Sequence, residues 1–160
     1  MVSPDAPPPS APSPGSSPGR RPILSAGAVV FRGDDVLLIR RGRAPFKGHW
    51  SIPGGKVDHG ESLAAGVLRE VLEETGVRAR VLGLIDLFEA LPRAPDDPHF
   101  VMADYACEHV EGEPVAGDDA MDAEYVSVPE ALARLSWDKT RLAVQGALAW
   151  RRGRPAGRVL

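Results

Sequence analysis

The chain has 160 residues, 43% hydrophobic and 26% charged, with a formal net charge of -3. This length suits one domain with a proper core and is too short for two comfortable ones; the acidic balance argues against a general nucleic-acid binder, which shows a basic excess, and leaves small phosphorylated ligands open. No apolar run approaches the roughly 20 residues that span a bilayer, and the single cysteine, Cys107, excludes an intrachain disulfide and points to a reducing compartment, by default the cytoplasm.

Residues 1–22 hold eight of the 16 prolines, with Asp5 as their one acid. Such a segment cannot bury enough apolar surface to offset its ordering entropy, so it reads as a disordered tail. It lacks the apolar stretch of a secretory signal, and a proline-rich ligand for a partner domain is the alternative reading. The folded domain is expected over 23–151, with a short flexible tail over 152–160. Ser25–Phe31 and Val36–Arg40 are apolar and β-branched, and Arg32-Gly33-Asp34-Asp35 between them predicts a hairpin. Trp50-Ser51-Ile52 reads as a short strand ended by Pro53-Gly54-Gly55, with the two glycines as a flexible bend. Ser62–Thr75 reads as a helix, and Val77–Leu87 and His99–His109 as strands joined by a Pro- and Asp-rich loop. Tyr125–Val128 is a short strand. A helix follows with Ser127 as N-cap and Pro129 in its first turn, and a last helix covers Thr140–Arg151. Helices and strands interleave but several links are hairpin-like, which predicts a mixed sheet and an α/β (α+β) fold.

On the helix over 62–75, Glu70, Glu73 and Glu74 fall within a sector of about 100°. Ala64, Val67, Leu68, Val71 and Leu72 take the other side, so the helix is expected to bury an apolar face and turn an acidic stripe outward. Gly76 suits the left-handed position that ends a helix. Like charges at i and i+4 repel, and two of the three glutamates sit in the last turn, where the helix dipole prefers cations. A hard divalent cation makes such a stripe tolerable, whereas a bare Glu-x-x-Glu-Glu is more often a solvated face.

The surroundings decide between these readings. Gly55, Glu61, Arg69, Glu70, Glu73, Glu74 and Gly76, with Val71 and Val77, occur in one 23-residue window. The array resembles the Nudix box, Gly-x5-Glu-x7-Arg-Glu-U-x-Glu-Glu-x-Gly-U with U a bulky aliphatic, and every fixed position is filled. The resemblance implies an α/β/α sandwich around a mixed β-sheet. It also implies hydrolysis of a nucleoside diphosphate linked to another group, with Mg²⁺ as cofactor or Mn²⁺ in its place. Metal ligands implied residue by residue are Glu70, Glu73, Glu74 and the Gly54 carbonyl, with Glu61 contributing directly or through water and Arg69 orienting a glutamate. Some family members complete the site with a carboxylate from a later loop. Asp118 and Asp119 stand in that place, with Asp122 and Glu124 as rivals and a solvated acidic loop as the plainer reading.

The remaining candidates are less specific. Arg40, Arg41, Arg43 and Lys47 form a basic cluster before the glycines, placed for substrate phosphates or simply solvated. Phe46, Trp50 and Phe88 could stack on a base, although large aromatics are more often core and Trp50 reads as packing. His99 could line the pocket, and Trp137-Asp138 precedes the last helix where some relatives read the base. The similarity to small ADP-ribose-type members implies ADP-ribose or a similar nucleotide sugar as substrate. An oxidised nucleoside triphosphate is second, and a non-catalytic nucleotide sensor is the reading from another class. The partner is then a small nucleotide, with no membrane and no general nucleic-acid binding. A homodimer is compatible with the resemblance.

Overall fold

Ile23–Arg32 forms β1, a strand whose residues 26–31 are all buried. In the computed structural model, which describes residues 21–153, it lies inside the sheet. A strand buried on both faces reads as a continuous apolar run, which is why this segment shows no polar alternation. A two-residue turn, with Gly33 at φ 61, leads to β2 (Asp35–Arg41), paired antiparallel with β1. Next come β3 (Trp50–Ser51), β4 (Gly54–Lys56), α1 (Leu63–Thr75), β5 (Arg78–Ala90) and β6 (Phe100–Glu111). β7 (Ala120–Ser127), α2 (Val128–Arg134) and α3 (Asp138–Arg151) complete the chain order. Of the expected tails over 1–22 and 152–160, all but Arg21, Pro22, Arg152 and Gly153 lies outside the described residues.

The sheet runs β3-β2-β1-β6-β5, with β4 also paired to β1 and β7 to β2. β1 and β6 are parallel, from Ile23 opposite Phe100 to Phe31 opposite Glu108, and the other pairings are antiparallel. The sheet is therefore mixed, as expected. Alternation along β1 and β2 splits the core in two. Ala26, Ala28, Val30 and Leu37 pack with Val67 and Val71 of α1 and with Cys107. Val29, Phe31, Val36 and Leu38 pack on the other face with Ala131, Ala143, Val144 and Ala147 of the last two helices and with Leu135 just after α2. This is an α/β/α sandwich. Among the described residues no helix is long and apolar enough to cross a membrane.

Three expectations change. Gly54-Gly55 is not a bend but the start of β4, Gly27 opposite Gly54, because without side chains the two backbones can come very close: a Cβ at Gly54 would lie 2.4 Å from the Ala26 carbonyl oxygen. The acidic stripe of α1 does not face outward as a whole, since Glu74 is only 5% exposed, while Leu72, placed in the core by the periodicity, is 41% exposed. β7 starts five residues before the expected Tyr125, because residues 120–124 pair along β2.

Candidate active site

Helix α1 is fixed at both ends. The Ser62 hydroxyl accepts from the Ala65 N–H at 3.1 Å, a side-chain cap for an orphan donor. At the other end Gly76 adopts φ 69 and donates to the Leu72 carbonyl. The segment before β7 then satisfies the last carbonyls, with the Val115 N–H donating to Thr75 and the Gly117 N–H to Glu74, each at 2.9 Å. A Cβ at Gly117 would lie 2.6 Å from the Glu73 carbonyl oxygen, so this close approach needs glycine.

Arg69 gathers the acids on the first part of this face. Its Nε and Nη2 donate to the two oxygens of Glu61 at 2.8 and 3.0 Å, and Nη1 reaches Glu70 at 2.8 Å and Glu73 at 3.1 Å. Nη2 also donates to the Lys56 carbonyl, and Asp58 lies 3.6 Å away. The guanidinium and the Asp58 N–H hold the Glu61 carboxyl down at about 2. Two glycines make room for these acids: a Cβ at Gly66 would lie 2.9 Å from Glu61 and one at Gly55 would lie 2.5 Å from the Glu70 carboxyl carbon.

Glu74 lives in a different environment. Its Oε2 accepts from the Gly54 N–H at 3.0 Å, joining the end of α1 to the start of β4. Burial pushes its carboxyl up to about 8, against the pull of that N–H, with Glu70 and Asp119 adding repulsion and Arg41 opposing them. Glu70 is also raised, chiefly by burial, and Arg69 pulls the other way. One guanidinium thus serves Asp58, Glu61, Glu70 and Glu73, while among the described residues Glu74 has none within ion-pair distance.

The donors here are carboxylate oxygens beside a strand backbone, the chemistry of a hard divalent cation, and their surplus negative charge fits one. Among the described residues no three of these side chains converge at metal-holding distance, because Arg69 draws Glu70 and Glu73 to itself and Glu74 turns to Gly54. The later loop is close by: Asp118, at φ 49, raises Glu70, and Asp119 raises Glu74. Asp119 pairs with Arg43 Nε at 2.8 Å, and its carbonyl accepts from the Gly42 N–H at 2.6 Å. Asp122 lies opposite Arg40 in the β2–β7 pairing, and Glu124 binds Arg134, so neither is grouped with the glutamates.

The basic cluster is ordered by its own loop. Arg40 Nε donates to the Gly48 carbonyl and Arg41 Nε to that of Pro45, both at 3.0 Å, which leaves Arg41 near Glu74. Lys47 is exposed. Phe46, at φ 65 and 55% exposed, stacks on Trp137 with ring centroids 6.3 Å apart and 24° between planes, a pairing the sequence did not disclose. Trp50 packs against the core with the Arg134 guanidinium over its ring. Phe88 packs against that same core. His99 lines a cavity of about 470 Å³ with Arg21, Asp97 and several prolines, and no glutamate of α1 borders it. Also missed in the sequence is Asp104, a buried acid on β6.

A NUDIX domain model matches residues 21–144. An ADP-ribose pyrophosphatase of Methanocaldococcus jannaschii is 31% identical over 132 residues, 82% of this chain and 76% of that one. Among solved structures, a MutT NUDIX hydrolase from Burkholderia pseudomallei superposes with TM-score 0.68 at 30% identity, covering 79% of this chain and 98% of its own. A NUDIX hydrolase from Nitrosomonas europaea gives TM-score 0.75 at 21% identity, covering 88% and 78%, and supports the fold. With the filled box, the capped glutamate helix and this match over most of its length, the chain belongs to the Nudix hydrolase superfamily.

Proposed function

We propose that this Nudix pyrophosphohydrolase cleaves the diphosphate of a nucleoside diphosphate-X in a Mg²⁺-dependent reaction, with ADP-ribose or a similar nucleotide sugar as substrate. The observation that carries the reading is the junction of Glu74 with the Gly54 backbone, where Glu70 and Glu74 sit with Glu61, Glu73, Asp118 and Asp119, six carboxyls to the three guanidiniums of Arg41, Arg43 and Arg69. The similarity to an ADP-ribose pyrophosphatase supports the substrate class.

Glu70, Glu73, Glu74 and the Gly54 carbonyl would hold the cation, with Asp118 and Asp119 completing the set and Glu61 behind them. A bound divalent cation supplies charge cancellation and an activated water, which a repelling diphosphate needs. Arg69 keeps Glu61, Glu70 and Glu73 in register. Arg40, Arg41 and Lys47 offer positive charge to the substrate phosphates, and the exposed Phe46 beside Trp137 offers a flat apolar surface to a base. Phe88 joins the half-buried apolar floor, whereas His99, in its separate cavity, drops out of the site.

The test incubates the protein and Glu73→Gln with Mg²⁺ and ADP-ribose, 8-oxo-dGTP, diadenosine tetraphosphate or plain nucleoside triphosphates. Release of AMP and ribose phosphate from ADP-ribose, lost in the variant, is the expected outcome. A monophosphate and pyrophosphate from 8-oxo-dGTP would replace the substrate class, and nucleotide binding without turnover would replace the enzyme by a sensor.

A further inference from the structure

Asp104 is 6% exposed and sits on the face of the sheet that α2 and α3 cover, beside Ile52. Its carboxyl lies against Gly27, and burial pushes it up to about 7 against the pull of the Gly27 backbone N–H. A buried acid without a cation is costly in a core where an apolar side chain would fill the same space. Its surroundings give it a place in the site. Gly54 of β4 pairs with Gly27 of β1, and Gly27 pairs with Asp104 of β6, so the three residues form one row across the sheet.

The row is unusually tight. A Cβ at Gly54 would lie 2.7 Å from the Gly27 Cα, and a Cβ at Gly27 would lie 2.5 Å from Asp104 Oδ1 and 3.1 Å from Ile52 Cδ1. The Asp104 carboxyl thus occupies the space that a side chain on Gly27 would fill. Glu74, arriving from the α1 layer, holds the other member of the pair through the Gly54 N–H. β4 is three residues long, so few contacts place it: its pairing with β1, the Arg69 bond to the Lys56 carbonyl at its far end, and at Gly54 these two.

We infer that Asp104 is a positioning residue for the metal site, setting the Gly54 carbonyl through Gly27 while Glu74 grips Gly54 from the opposite layer. This rests on the reading of Gly54 and the glutamates as metal ligands. Removal of a group that orients a ligand lowers metal affinity by about 10- to 100-fold. Replacement by an apolar residue of similar size fills the notch but leaves the Gly27 N–H without its carboxyl, whereas asparagine keeps an acceptor there.

The experiment titrates the full chain with Mn²⁺ alone by electron paramagnetic resonance, with circular dichroism confirming the fold of each variant. D104L and G27A should bind Mn²⁺ at least about ten-fold more weakly than the unaltered chain, and D104N should stay within about three-fold. Should D104L fail to fold, D104A is judged by the same ten-fold criterion. E74Q separates the two layers of the argument. If E74Q loses Mn²⁺ but D104L and D104A bind like the unaltered chain, the role of Asp104 is overturned and the site stands. If E74Q itself binds unchanged, the glutamate site is overturned and Asp104 has nothing to position.

Discussion

The two faces of the sheet hold their acids in opposite ways. On the α1 face, Glu61, Glu70 and Glu73 share one guanidinium, and the Glu61 carboxyl is held down at about 2. On the α2/α3 face, Asp104 rests on a backbone N–H among apolar side chains and is pushed up to about 7. Glu74 belongs by position to the first face and by environment to the second, buried and raised to about 8. Acids paired with a cation are stabilised by their charge, and deleting the partner is what harms them. Acids buried without one are destabilised by their charge, so a neutral replacement of similar shape holds or strengthens the fold.

The largest effect follows for Glu74→Gln. If Glu74 holds the cation as proposed, its loss should lower kcat by about 10²-fold or more, beyond the range seen for groups one step removed from a metal. The urea midpoint without metal should hold or rise, because the buried carboxylate is gone. A variant both inactive and strongly destabilised would show that the Glu74 carboxylate holds the fold rather than a cation. Arg69→Met acts in the opposite sense: it leaves Glu61 and Glu70 facing each other without a cation. The Arg69 side chain is 28% exposed but serves several carboxylates at once, so the urea midpoint should fall by clearly more than for an isolated surface pair. A loss below about 0.5 kcal/mol would place it with ordinary surface pairs.

Asp104→Asn tests the other face through pH. The folded value of about 7 lies above the ordinary 3.8, so the folded chain favours the protonated acid. Stability is therefore lost as pH rises from about 4 to about 7, at about 1.4 kcal/mol per unit, and stays lost above. Asparagine removes that loss but brings an amide N–H of its own to satisfy. We expect a net gain of about 2 kcal/mol at pH 8, shrinking towards pH 5, in thermal melts. A gain independent of pH would mean that the ionised form carries no penalty.

The charged residues of the candidate site were legible because the box is local: seven fixed identities, with Gly76 among them as the C-cap, and the N-cap Ser62 all lie between Gly55 and Gly76. The sheet class was legible from β-branched runs separated by Gly and Asp. What the sequence hid depends on pairing between distant residues. Gly54 reads as a bend until Gly27 is placed opposite it, and Asp104 looks like any strand acid until parallel pairing sets it over that same glycine. Arg43 and Asp119 meet across the β2–β7 pairing, which neither loop announces alone. Periodicity placed Glu70, Glu73 and Glu74 on one side correctly, but it could not show that β4 and the loop before β7 cover the last turn and bury Glu74.

Leu72 gives the smallest effect and a sharp boundary for the α1 face. Helical spacing puts it beside Val71 in the core, yet Val71 is fully buried and Leu72 is 41% exposed, bordering a shallow cavity with Leu68, Arg69, Arg78 and Ala79. Shortening Val71 to alanine removes packed methyl groups and should cost about 1–2 kcal/mol. Leu72→Gln should change urea stability by no more than about 0.5 kcal/mol, since the side chain already meets water along much of its length. Because Leu72 flanks Arg69, activity is the second readout. Unchanged kcat with unchanged stability would confine the working part of α1 to the side that meets β4 and the loop before β7. A fall in kcat at constant stability would extend it to the Arg69 flank, and the guanidinium would then depend on its apolar neighbour for its aim.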